Sequence, residues 1–215
     1  MPCSIVNQPP VHGLAGEERL HRFAALHRDS VGHGPRPAFE RYCLLVNRQA
    51  IEATGARLLV SDERVIQICA DKRETSRFLE KEGFSTPRLF EMEEALNQEF
   101  PLFIKPADGS ASVNAFRVDS EEQLKFFAGY VPNAVIQEFA GGEEMTVDVF
   151  SGWSGNPIAA VPRKRLKVRA GEVSVGKVQR DPRLELLATQ VAEKLGTVGP
   201  VNIQAIVSDG LPRII

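Results

Sequence analysis

The chain has 215 residues, 43% of them hydrophobic and 25% charged, with a formal net charge of −2. No stretch approaches the roughly 20 apolar residues of a membrane helix, and the opening MPCSIVNQPP lacks the apolar centre of a secretory signal. The near-neutral balance gives no global pull toward nucleic acid, so any polyanion site must come from local clustering; a cytoplasmic protein without a membrane or nucleic-acid partner is expected.

From Met1 to Pro37 the segments NQPPVHGLAG and GHGPRP favour turns, with one amphipathic helix expected from Glu17 to about Arg28. His12, His21, His27 and His33 all fall in this part, without the spacing of a metal site, and Cys3, Cys43 and Cys69 are far apart, which points to reduced thiols. A helix is expected from Phe39 to Gly55, followed by a β-branched strand ARLLVS over 56–61. Asp71 is placed to cap a helix KRETSRFLEKEG that ends at Gly83, and Thr86-Pro87 prevents its continuation.

The strand PLFIKP, the loop DGSASVN and the strand AFRV come next, then a helix SEEQLKFFAGY opened by Ser120 and Gln123 as a capping box. NAVIQEF, EEMTVDVF and IAAVPRKR read as further strands. Asp181-Pro182 opens a helix that runs to Leu195 and stops at Gly196, and the last residues, PVNIQAIVSDGLPRII, form a hairpin turning at Asp209-Gly210. Strands in antiparallel hairpins with helices between them make the fold α+β.

Four places can carry chemistry. Lys105 ends an apolar strand beside a small-residue loop, where an ammonium and approachable backbone N–H groups can hold a phosphate chain; the plain alternative is a solvated strand-end lysine. VIQEF followed by GGEE can offer a backbone edge to a base, with Glu144 accepting from ribose hydroxyls. RKRLKVR, if strictly alternating, puts Arg163, Arg165, Lys167 and Arg169 on one face, as an anion-binding strip, a solvated edge or a nucleic-acid patch. Gln204 shares a strand face with Asn202 and could lend an amide oxygen to Mg²⁺.

Taken in order, Asp71-Lys72 at a helix start, FIKP with its loop, VIQEFAGGEEMTVDV, PRKRLKVRAGEVS and GPVNIQAIV resemble the ATP-grasp superfamily, and within it the carbamoyl-phosphate-synthetase-like members, over Cys69 to Ile215. The resemblance implies an ATP-grasp fold of two α+β lobes clamping ATP over residues 70–215, preceded by a shortened α/β segment over 1–69. It implies phosphate contacts from Lys72 and Lys105, and a closing loop of Gly109, Ser110, Ala111 and Ser112. Gln137, Glu138, Phe139 and Ala140 would form the adenine hinge, Glu144 the ribose acceptor and Gln204 a Mg²⁺ ligand. Arg163, Arg165 and Arg169 would serve the phosphates and a small carboxylate substrate. The activity implied is ATP-dependent ligation of a carboxylate to an amine through an acyl phosphate.

The chain stops where the resemblance places further acidic metal ligands. A nucleotide-holding module without turnover is therefore the alternative, with nucleic-acid binding through residues 163–169 a second one. An unfinished last strand also leads us to expect self-association.

Overall fold

A computed structural model describes residues 44–45, 47–108, 112–169 and 172–215, with the side chains of 168, 169, 172 and 173 outside that description. The helix expected over 17–28, the four histidines, Cys3 and Cys43 fall outside the described residues. Residues 44–45 and helix α1 (Arg48–Glu52) carry the described part of the helix expected to end at Gly55, whose φ is 89°.

ARLLVS is not a strand. Residues 56–61 run as an irregular connector, because none of the described strands pairs with them. Ser61 instead exchanges hydrogen bonds with Val198, its Oγ accepting from Val198 N at 2.9 Å, and Leu59 packs close to Gly199. A helix that sequence reading passed over follows, α2 (Glu63–Ala70), opened by Asp62, whose carboxylate accepts from Val65 N at 2.9 Å. In α3 (Lys72–Lys81) Asp71 performs the expected cap, accepting from Arg73 N at 2.8 Å.

The next elements are β1 (Leu89–Phe90), α4 (Met92–Ala95), β2 (Leu102–Pro106), β3 (Phe116–Val118), α5 (Glu121–Tyr130) and β4 (Ala134–Glu138). They form an antiparallel four-stranded sheet in the order β1-β4-β2-β3. Period-two alternation sends Leu102, Ile104, Val118 and Ile136 to one face, where Ala95 and Leu124 cover them, and sends Phe103, Lys105 and Gln137 to the other. Fully burying a leucine such as Leu124 is worth about 2 kcal/mol, so this small core holds the sheet.

The remaining strands are β5 (Glu143–Ser151), β6 (Pro157–Arg169), β7 (Glu172–Val178), β8 (Gly199–Ser208) and β9 (Leu211–Ile214), with α6 (Pro182–Leu195) between β7 and β8. They build a five-stranded antiparallel sheet, β7-β6-β5-β8-β9, with β5 at its centre. Met145, Val147, Val149, Ile203 and Ala205 pack against Leu184, Ala188 and Val191 of α6. Asp209 and Gly210 take the positive φ values of 50° and 74° that the final hairpin requires. The outer edge of β9 is partly engaged, since Ile214 N donates to Ser85 O at 2.8 Å.

The strict alternation expected along RKRLKVR fails. Arg165 pairs with Gly176 and Lys167 with Val175, so Leu166 is an extra residue, and a second shift follows between Lys167 and Val168. A bulge re-aims everything beyond it, which separates Arg163 and Arg165 from the remainder of the strip.

Candidate functional site

A cavity of about 500 Å³ lies between the two sheets, lined by Phe103, Lys105, Gln137, Phe139 and Ala140 on one side and Glu144, Arg165, Asn202, Gln204 and Ile206 on the other. The start of α3 closes one end with Lys72, Thr75 and Ser76. These placements follow from register. Phe103 stands opposite Gln137 in the smaller sheet, and Thr146 stands opposite both Arg163 and Gln204 in the larger one.

Lys105 and Lys72 converge here. Burial pushes the Lys105 ammonium down to about 8, the nearby Lys72 charge adds to that, and Glu144 opposes it. Lys72 is also lowered by burial, against the pull of Asp108 and Asp71. Its backbone N donates to Ala107 O at 2.9 Å, which ties the helix start to the end of β2. Two desolvated ammoniums side by side are electrostatically costly until an anion joins them.

The basic strand is already partnered. Arg163 donates to Asp148 at 2.6 and 3.2 Å, Asn202 donates to the same carboxylate, Lys164 pairs with Glu143, and the buried Arg165 pairs with Glu144. Glu144, proposed from sequence for a ribose, is thus held by an arginine. Glu138 does not line the cavity; its carboxylate accepts two bonds of 2.6 Å from Arg213, so within the expected hinge only its backbone is available. Gln137, Phe139 and Ala140 do line it.

Ser112 lines the cavity at a φ of 54° and Asn114 takes 55°, the left-handed conformation an asparagine tolerates. Gly109, Ser110 and Ala111 lie outside the described residues, and Arg169 is described only as the last residue of β6.

Sequence reasoning missed four contributors. Phe103 sits 6.5 Å from the Phe139 ring, and Arg117 stacks on that ring at 4.8 Å. Asp148 was legible from alternation with Glu144 on one strand, whereas no local signal pointed to Arg213.

Two lysines and two phenylalanines on its wall give the cavity partners for an anion and for a planar ring. Besides the two lysines, the buried Ser76 Oγ, on the cavity wall, has no hydrogen-bond partner and awaits one. Magnesium fits less well. Among the described residues no cluster of three His, Cys, Asp or Glu side chains could hold a metal, and the neutral amide of Gln204 is not a site by itself.

A family model described as the ATP-grasp domain matches residues 69–215. The chain belongs to the ATP-grasp family. A D-alanine–D-alanine ligase of Fusobacterium nucleatum is 27% identical over 110 residues, covering 51% of this chain and 36% of the relative. The carbamoyl phosphate synthase large chain of Saccharolobus islandicus is 25% identical over 199 residues, covering 77% of this chain and 18% of that protein. The chain therefore spans about a third or less of the length of these curated relatives. Among solved structures, the Bacillus anthracis D-alanine–D-alanine ligase complexed with ATP superimposes with a TM-score of 0.61 at 20% identity, over 80% of this chain and 60% of that one. That likeness shows the fold, and the ATP-grasp architecture agrees with the two antiparallel sheets flanking the cleft. Among the described residues no helix is long and apolar enough to cross a membrane.

Proposed function

We propose that the cleft of this ATP-grasp chain binds ATP, and that the chain is the nucleotide-holding part of a ligase that phosphorylates a small carboxylate for attack by an amine. The observation that carries this reading is the pair of desolvated lysines, Lys72 and Lys105, facing one cavity from two different elements. A triphosphate would neutralise both. Phosphoryl transfer between anions asks mainly for such charge neutralisation and positioning, which a lysine pair supplies without a protein nucleophile.

The backbone of Gln137 to Ala140 would take the base edge, with Phe103 and Phe139 against its faces, and Glu144 would exchange Arg165 for the ribose. Arg165, once released, would turn to the phosphates, and Arg163 would orient the carboxylate. Mg²⁺ would be carried chiefly by phosphate oxygens, with Gln204 as the protein's oxygen ligand. Carboxylate partners on Arg163, Lys164 and Arg165 already offset much of the strip's charge, which weighs against the nucleic-acid reading.

The test is calorimetric titration with ATP, with and without Mg²⁺, of the wild-type chain and Lys105→Ala. Binding by the wild type and its loss in the variant are expected; a folded wild-type chain that binds no ATP would overturn the proposal. One observation favours a second reading, a module that holds nucleotide without turnover: Glu144 and Asp148 are both engaged by arginines, and no acidic cluster stands ready among the described residues. Mg²⁺-dependent release of ADP in the presence of a panel of carboxylates would rule that second reading out.

A further inference from the structure

Arg213 makes a junction among three separate parts of the chain. Its guanidinium holds both oxygens of Glu138 at 2.6 Å and also donates to Thr86 O at 3.1 Å. Glu138 is the last residue of β4 in the smaller sheet, and Arg213 lies on β9 at the edge of the larger one. Glu138 is further fixed by its backbone, whose N donates to Arg88 O at 2.9 Å. Immediately beyond it, Phe139 and Ala140 line the cavity.

The other end of this crossover is fixed as well. Gly142 has a φ of 142°, and a Cβ there would meet Val207 O at 2.5 Å, so the backbone lies directly against β8. Phe139, Ala140 and Gly141 therefore hang between two anchors, both of which involve the larger sheet. One anchor is backbone contact and cannot be tuned. The other is a single bidentate ion pair, the geometry in which an arginine fork fixes direction as well as distance.

We propose that Arg213 is a positioning residue for recognition of the nucleotide base: by holding Glu138 it fixes the backbone edge of residues 139–141 relative to the larger sheet. This rests on the nucleotide reading above. Arg213 does not line the cavity and so acts through Glu138. The consequence is selective. Neither phosphate-facing lysine touches the clasp: Lys72 starts α3, and Lys105, although on the strand β2 that pairs with β4, stands opposite Val135, three residues from Glu138, so loss of the clasp should weaken binding of the base more than binding of a bare polyphosphate.

The experiment measures affinity of the full chain for ATP and for inorganic tripolyphosphate, in wild type, Arg213→Met, Glu138→Gln and the double variant, with a thermal melt of each. We expect either single substitution to weaken ATP by up to about fivefold, the scale of a part-exposed ion pair that acts on the ligand only through the backbone, with tripolyphosphate affinity unchanged. The double variant should be no worse than either single one, because both remove the same clasp. Should Arg213→Met fail to fold, Glu138→Gln, which keeps shape and loses only charge, carries the same test. Equal weakening of both ligands would show a merely structural clasp and overturn the inference, as would unchanged ATP affinity. Wild-type protein that binds neither ligand would overturn the nucleotide reading itself, and this inference with it.

Discussion

Replacing Lys105 by Met should make the empty protein more stable while removing its affinity for triphosphate. The lysine is squeezed between a desolvating cavity wall and the Lys72 ammonium, and its proton is held only to about pH 8 where an ordinary lysine keeps it to 10.5. At about 1.4 kcal/mol per pH unit, keeping that charge in place at pH 7 costs on the order of 3 kcal/mol. The sign follows from proton counting. Below pH 8 both folded and unfolded chains carry the proton and the folded state bears the whole cost. Between pH 8 and 10.5 only the unfolded chain keeps the proton, so wild-type stability rises with pH and the advantage of the variant shrinks. Methionine matches the aliphatic stem closely and brings no charge, so packing changes little. Urea denaturation at pH 7 should place Lys105→Met about 3 kcal/mol above wild type, or roughly 6 to 12 °C higher in Tm for a chain of this size. The same measurement near pH 10 should find the two much closer. A variant less stable than wild type at pH 7, or an advantage that does not shrink with pH, would refute the argument that Lys105 is held at an electrostatic cost.

The same lysine predicts that ATP binding at pH 9 takes up a proton, because Lys105 is then largely neutral and the phosphates recharge it; binding heats at pH 9 should depend on buffer ionisation enthalpy in the wild type and lose that dependence in Lys105→Arg, whose guanidinium stays charged. Gly142→Ala should unfold or severely destabilise the chain, by about 3 kcal/mol or more in chemical denaturation, since the added carbon meets the Val207 carbonyl at 2.5 Å with a φ of 142°. Leu124→Ala should cost about 2–5 kcal/mol, because the side chain is fully buried beneath the smaller sheet; a loss under 1 kcal/mol would show that this core is loosely packed.

What could be read from sequence was local. Asp71, Asp181 and Asp209-Gly210 announce caps and a turn through chemistry confined to a few neighbouring residues, and the structure places them as caps and turn. Lys105 was legible because an apolar strand ends on it beside a small-residue loop. ARLLVS misled because a short apolar run becomes a strand only where a partner is available, and here Ser61 and Leu59 dock on the start of β8 instead. The bulge at Leu166 left no trace in composition; it arises from how β6 and β7 pair. The ion pair of Glu138 with Arg213 joins residues far apart in the chain, and neither residue differs locally from a solvated surface charge. Contacts between sheets are set by tertiary packing, which one-dimensional patterns do not encode.

Strand β5 carries two jobs on alternating residues. Met145, Val147 and Val149 build the core, and Glu144, Thr146 and Asp148 face the cleft side, so the site inherits its rigidity from the packing directly behind it. The arrangement also makes the strand intolerant of length change. One inserted residue between Glu143 and Ser151 would turn apolar side chains into the cleft and polar ones into the core in a single step, with no neutral intermediate. Insertions between libraries of variants should therefore survive in the turn at 152–156 and disappear within the strand.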